Sequence, residues 1–168
     1  PIIVIVSFLG IIITLLSGFA AAVDNTDYAS GSGASIVAVA VQEIGYHEGA
    51  GNHTKYGVYT GTDGMSWCHA FVSWCANECG FIESNIIPKT AACETGRQWF
   101  IHKQQYQKAG SYTPQAGDII YFDKGGVGES HHVGIVEYVE NGIVHTIEGN
   151  KNNQVMRGHY ELIYKGIM

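Results

Sequence analysis

The sequence predicts an α+β fold, with helices packed on an antiparallel sheet of about five strands. Two observations predict it. Apolar residues recur at helical spacing in segments between positions 35 and 108, whereas after 114 they fall into short extended runs. Those runs follow one another with no helical segment between them, and Pro114-Gln115-Ala116-Gly117 marks the change as a turn.

The 168 residues give room for one domain and a short appendage. Positions 1–23 carry no charge, and 1–16 are almost wholly aliphatic. That stretch is near bilayer-spanning length, and Ala20-Ala21-Ala22 fits a signal-peptide cleavage site, so it reads as a transmembrane anchor or a cleaved signal peptide. Either reading exports the remainder, held at the outer face of the cytoplasmic membrane or secreted to the cell wall. The chain lacks a starting methionine and the usual basic flank, which predicts further residues upstream. Positions 24–34 are polar and rich in glycine and serine, a flexible linker, and 35–168 form the folded domain.

Within that domain, 35–44 is an apolar-rich helix expected under the sheet. Positions 45–64 are glycine-rich and irregular, and loops of this kind often wall a groove. Tyr56 is therefore a candidate substrate contact, with core packing as the competing role. A helix at 67–79 is followed by a connector at 81–90 holding Pro88, and by a second amphipathic helix at 95–108. Strands are expected at 118–122, 133–139, 143–148, 155–160 and 162–168, with a glycine loop at 123–130.

Charged residues make up only 14% of the chain and the net charge is -6. No basic patch exists to neutralise phosphates, which excludes nucleic acid as a partner. The same charge gains nothing beside an anionic wall. Asp63-Gly64 supplies too few carboxylates for a calcium loop, so neither metal nor cofactor is predicted, and the chain is read as a monomer.

The stretch from Gly64 to Cys75 organises the domain. A glycine loop runs into a helix, with Ser66 as the expected N-cap and Gly80 where the helix would end. Trp67, Phe71 and Trp74 form one apolar stripe, and Cys68, Val72, Cys75 and Cys79 a second. His69, Ser73 and Asn77 are left as a narrow wet strip. Cys68 falls in the first turn, where the helix dipole favours an anion, and the thiolate is the nucleophilic form. Most free cysteines are simply buried hydrophobes; the loop before Cys68 and the histidines downstream single it out. Cys75 and Cys79 stand one turn apart and would bridge each other poorly. Cys93 therefore pairs with Cys75 or Cys79, or all three are reduced.

The base comes from a hairpin whose strands are joined through Glu140-Asn141-Gly142. A two-residue Asn-Gly turn would set Ile135 opposite Glu148. A three-residue turn with a glycine bulge would pair Val139 with Ile143, Ile135 with Ile147 and Glu137 with His145. The second register matches like with like and is the one expected. It sets His132 facing Asn150, with Glu148 diagonal on the same face. A cysteine nucleophile needs an imidazole to hold the thiolate and later protonate the leaving amine, and a carboxylate or amide to fix the ring.

Trp67-Cys68-x-x-Phe71-Val72-Ser73-Trp74-Cys75 resembles the nucleophile segment of CHAP domains, cysteine, histidine-dependent amidohydrolases and peptidases with a papain-like core. The resemblance extends through Asn52-x-Thr54-Lys55-Tyr56, the segment from Pro114 to Phe122, His132-Val133-Gly134-Ile135-Val136 and Thr146-Ile147-Glu148-Gly149-Asn150. It covers nearly everything after about Ser35. His69 departs from it, since such domains usually carry a small residue there. The resemblance implies a papain-like core and a catalytic set of Cys68, His132, Glu148 and Asn150, with Tyr56 and Trp67 toward substrate. It also implies a peptidoglycan hydrolase, an amidase or endopeptidase acting through a thioester. Two other classes compete. A wall-binding module without turnover would not need the full set. A metal site on Cys68, Cys75, Cys79 and His132 would need ligands closer than the about 10 Å that helical rise puts between Cys68 and Cys75.

Overall fold

The computed structural model describes residues 2–6, 32–123 and 128–162. Its elements are β1 (Ile2–Val6), α1 (Gly33–Gln42), α2 (Lys55–Thr60), α3 (Cys68–Glu78), α4 (Cys93–His102), β2 (Tyr106–Lys108), β3 (Ile119–Asp123), β4 (His132–Glu140), β5 (Ile143–Lys151) and β6 (Gln154–Glu161). Most of the expected linker and of the expected anchor or signal segment, and nearly all of the strand at 162–168, lie outside the described residues; the described end of the linker, Gly33 and Ala34, is already helical in α1, and Ile2–Val6 of the anchor or signal segment pairs with β2 and β3 as β1. No described helix is long and apolar enough to cross a membrane.

The strands form one sheet in the order β2-β1-β3-β4-β5-β6, antiparallel throughout. The expected α+β class is what forms, with helices gathered on one face. The period-two alternation of β3 divides the apolar residues between two cores. Ile119 and Tyr121 join Val133, Ile135, Ile147, Val155 and the helices. Ile120 and Phe122 turn to the other face with Val136 and Val144.

Several expectations are corrected. The segment at 45–64 is not wholly irregular: Thr54 accepts the Gly57 N–H at 2.9 Å and starts α2. The helix expected at 95–108 ends early, because Gln104 takes a left-handed φ of 58°, and Tyr106–Lys108 then pairs with β1 as β2. Trp67, and not Ser66, is the N-cap of α3, with no side-chain cap bond. Gly80 does end that helix, at φ 73°.

The wet strip on α3 is also absent at two of its three positions. His69 and Ser73 are fully buried. The connector closes over them: Ser73 Oγ donates to the Thr90 carbonyl at 2.7 Å, and His69 Nδ1 meets the same oxygen at 3.0 Å. His69 Nε2 meets the Tyr121 hydroxyl at 2.9 Å from the sheet side. The connector around Pro88 thus presents carbonyls that turn polar helix positions into core.

The β4–β5 hairpin uses the rejected turn and still reaches the expected register. Asn141 (φ 50°) and Gly142 (φ 77°) form a two-residue turn pairing Glu140 with Ile143. Unbroken, that pairing would carry Ile135 opposite Glu148. A bulge between Val136 and Tyr138 takes up one residue, Glu137, and restores Ile135 opposite Ile147. Glu137 therefore pairs with Arg157, at 2.7 and 2.8 Å, while Tyr138 stacks on His145 with centroids 4.2 Å apart.

Candidate active site

Cys68 is the first residue of α3, and its thiol sits at the edge of the core, 6% exposed. Two neighbours define its chemistry. Cys93, the first residue of α4, places its Sγ 3.3 Å away. His132, the first residue of β4, stands near enough for its ring to pull the thiol's pKa down. The hydrogen bond from Cys93, and then the ring and charge of His132, hold the Cys68 thiol far below the ordinary thiol range despite burial. The Cys93 thiol is displaced the other way by its bond to Cys68 and by burial, so one sulfur is ionised and its neighbour keeps the proton. The two amino termini of α3 and α4 converge here, and both dipoles favour that single negative charge.

His132 is held from several sides. Its ring lies over Phe122, its cross-strand partner, with centroids 5.5 Å apart. Ser130 Oγ donates to the His132 carbonyl at 3.0 Å. Glu94 on α4 accepts the Ser130 N–H at 2.9 Å, and Arg97 donates to the Gly128 carbonyl at 2.8 Å, so α4 fixes the approach to β4 as well as carrying Cys93. His132 Nε2 lies 2.8 Å from Glu148 Oε2, which leaves Nδ1 as the ring nitrogen for the thiol. Burial alone would lower the His132 pKa, but the Cys68 thiolate and the hydrogen bond to Glu148 outweigh it and raise it to about 9.

Glu148 is fully buried and carries a carboxylate. Burial would raise its pKa; the hydrogen bonds from His132 and Thr146 and the charge of Lys151 reverse that and keep it low. Thr146 Oγ1 and the Tyr160 hydroxyl, at 2.8 Å, donate to Oε1, and Lys151 Nζ lies 3.1 and 3.0 Å from the two oxygens. A buried carboxylate with this many donors is stable as an anion and rigid in position. The arrangement is chemically a thiolate, an imidazolium and a carboxylate in line, suited to nucleophilic attack with proton return.

The CHAP domain family model matches residues 60–150, more than half of the 168-residue chain. The chain belongs to the CHAP domain family. No curated protein matches it significantly. Two solved structures are similar: Ly7917, at 16% identity and TM-score 0.47, and Ly7917 with the hydrolyzing product of MDP, at 17% identity and TM-score 0.48. Each likeness covers 78% of this chain and 57% of the other, so this chain spans less than two thirds of their length.

In this CHAP domain the structure brings Cys68, His132 and Glu148 together. Asn150 lies beyond Glu148 on β5, half-buried with φ 56°, and the partner on His132 Nε2 is Glu148. Tyr56 and Trp67 are not in a groove wall. Tyr56 is fully buried, donates to Glu43, and stacks on Trp67 with centroids 5.4 Å apart; Trp67 is 1% exposed and donates from Nε1 to Glu48 at 2.6 Å. Both seat α2 against α3. Cys93 is likewise not beside Cys75 or Cys79 but beside Cys68, and all four cysteines are free thiols. Sequence reasoning missed Cys93 as a site residue, and missed Lys151 and Tyr160 around Glu148. The alternation of Thr146 and Glu148 along β5 was the available signal for the Glu148 shell.

Proposed function

We propose that this CHAP domain is an exported peptidoglycan hydrolase, an amidase or endopeptidase that cuts an amide bond of the cell-wall peptide through a thioester. Family membership supports a peptidoglycan hydrolase. The observation that carries the cysteine mechanism is the Cys68–His132–Glu148 line, with Glu148 Oε2 2.8 Å from the ring. The Cys68 thiolate attacks the amide carbonyl. Unpaired N–H groups of the first turn of α3 face the developing oxyanion. His132 gives its proton to the departing amine, and the neutral ring then takes a proton from the water that opens the thioester. Glu148 holds the ring and favours its charged form.

The test is release of soluble fragments from purified peptidoglycan by the 168-residue chain under reducing conditions, parent against Cys68→Ala, with mass spectrometry of the products. Release by the parent should fall about a thousandfold or more in the variant. New amino termini would tell an amidase cut from a peptide cut. Equal release by both proteins would overturn the thiol mechanism. Binding without release by either, across several wall types, would make the domain a wall-binding module.

A further inference from the structure

Four thiols are described, and only two of them stand together. Cys75 is fully buried, and burial pushes its thiol up; Cys79 is half-buried, with its thiol pushed up for the same reason. Cys68 and Cys93 are different. Their sulfurs are 3.3 Å apart, and each keeps a sliver of exposure, 6% and 8%, at the first residue of a helix. A disulfide needs about 2 Å between sulfurs, a closure of about 1.3 Å that small side-chain rotations provide. Nucleophilic hydrolysis as described above reacts through one thiol. The second lends it a hydrogen bond and takes no part in bond making or breaking.

We propose that Cys68 and Cys93 form a redox-active dithiol, in which a peroxide oxidises Cys68 and Cys93 resolves the product to a Cys68–Cys93 disulfide that a thiol reductant reopens. The steps balance. The Cys68 thiolate attacks one peroxide oxygen and the O–O bond breaks. The departing hydroxide takes the His132 proton and leaves as water, and the sulfur, two electrons poorer, is a sulfenic acid. Cys93 sulfur then attacks Cys68 sulfur, the S–O bond breaks, and the hydroxide leaves as a second water with the Cys93 proton. The dithiol loses two electrons and the peroxide gains them. Selectivity follows from the surroundings: thiolate character favours Cys68, and proximity favours Cys93 over Cys75 and Cys79. The disulfide removes the nucleophile, so hydrolysis stops reversibly instead of being lost to over-oxidation; this consequence for activity rests on the function proposed above.

The experiment uses the full chain, reduced and desalted, treated with hydrogen peroxide in excess of the two equivalents that a sulfinic acid consumes, and mapped by mass spectrometry of non-reduced peptides. The parent is expected to lose two hydrogens, to yield a peptide linking Cys68 to Cys93, and to recover fully with dithiothreitol. Cys93→Ser is expected to carry a sulfinic acid on Cys68 at the same dose, which dithiothreitol does not reverse. The parent arm needs no substitution and decides the matter even if the variant folds poorly. Sulfinic acid on Cys68 of the parent, to the extent found in Cys93→Ser, would overturn the proposal, as would a disulfide joining any other pair. Wall clearing is measured on the same samples. Formation of the Cys68–Cys93 disulfide in a protein that clears no wall when reduced would uphold the dithiol and overturn the hydrolase. Clearing without that disulfide would do the reverse.

Discussion

Glu148→Gln should move the alkaline limit of activity, and the structure gives its size. His132 is raised from 6.5 to about 9. At about 1.4 kcal/mol per pKa unit, the site favours the imidazolium by about 3 kcal/mol after burial has been offset. Two anions supply this, the Cys68 thiolate and Glu148, and the ring is 27% exposed, so solvent screening is limited. An adjacent opposite charge is worth about 1–3 pKa units. Lys151, 3.0 and 3.1 Å from the Glu148 oxygens, offsets part of that carboxylate's effect. The variant should therefore lower the His132 pKa by about one to two units, to roughly 7–8. The assay is the pH dependence of kcat/KM for fragment release, with an NMR titration of the His132 ring in both proteins. The falling limb should move down with the ring pKa, while alkylation of Cys68 by iodoacetamide continues above it. Loss of the acid is thereby separated from loss of the nucleophile. Because an amide replaces an acceptor of four donor groups, stability should also fall by about 1–3 kcal/mol, read by urea unfolding. An unchanged ring pKa in a folded variant would refute the reasoning and leave Glu148 with orientation alone.

Gly149→Ala should separate the layers that carry the nucleophile and the base. A Cβ there would stand 2.5 Å from Phe71 Cβ and 2.8 Å from its Cγ, atoms too near the α3 backbone to move alone, so stability should fall by about 1–3 kcal/mol in urea unfolding, with loss of activity. The ion pair also has a signature in stability. Between 6.5 and about 9 the folded pair holds one proton, on His132, and the unfolded pair also holds one, on the thiol. The difference in unfolding free energy between the parent and a Cys68→Ala, His132→Ala double variant should therefore be flat across that window. Below it the unfolded pair binds a second proton, and the difference should shrink by about 1.4 kcal/mol per pH unit. A decline between 6.5 and 9 would mean an imidazolium beside an un-ionised thiol.

What could be read from the sequence was what one segment decides by itself. The start of α3 at a glycine loop, its end at Gly80 and the nucleophile candidate in its first turn are local, and they stand within a residue of the expected places. So does the meander of β3 to β6, whose strands alternate with turns in sequence order. Exposure around α3 was not local. His69 and Ser73 occupy the polar side of the helix by spacing, yet the carbonyl of Thr90 supplies the bonds that let them be buried. Tyr56 and Trp67 are aromatic residues beside a nucleophile, but the partly buried Glu43 and Glu48 satisfy their polar atoms at the edge of the core. Cys93 was the least legible: its distance to Cys68 depends on how α4 docks beside α3, and no spacing along the chain records that.

The hairpin shows how a local and a global preference can both be met. Asn141-Gly142 suits a two-residue turn, because both residues take positive φ without much cost, and that preference holds at the tip. Further along, Ile135 and Ile147 must share the core face, and a slip of one residue would turn both to the wrong side. The conflict is one residue wide, and one residue absorbs it. Glu137 suits that place: its carboxylate pairs with Arg157 on β6 while the ladder resumes on both sides. The consequence reaches the site, because His132 stands on the same strand beyond the bulge. Without the shift the base would face away from Glu148, so the geometry that brings imidazole to thiolate depends on a residue that touches neither.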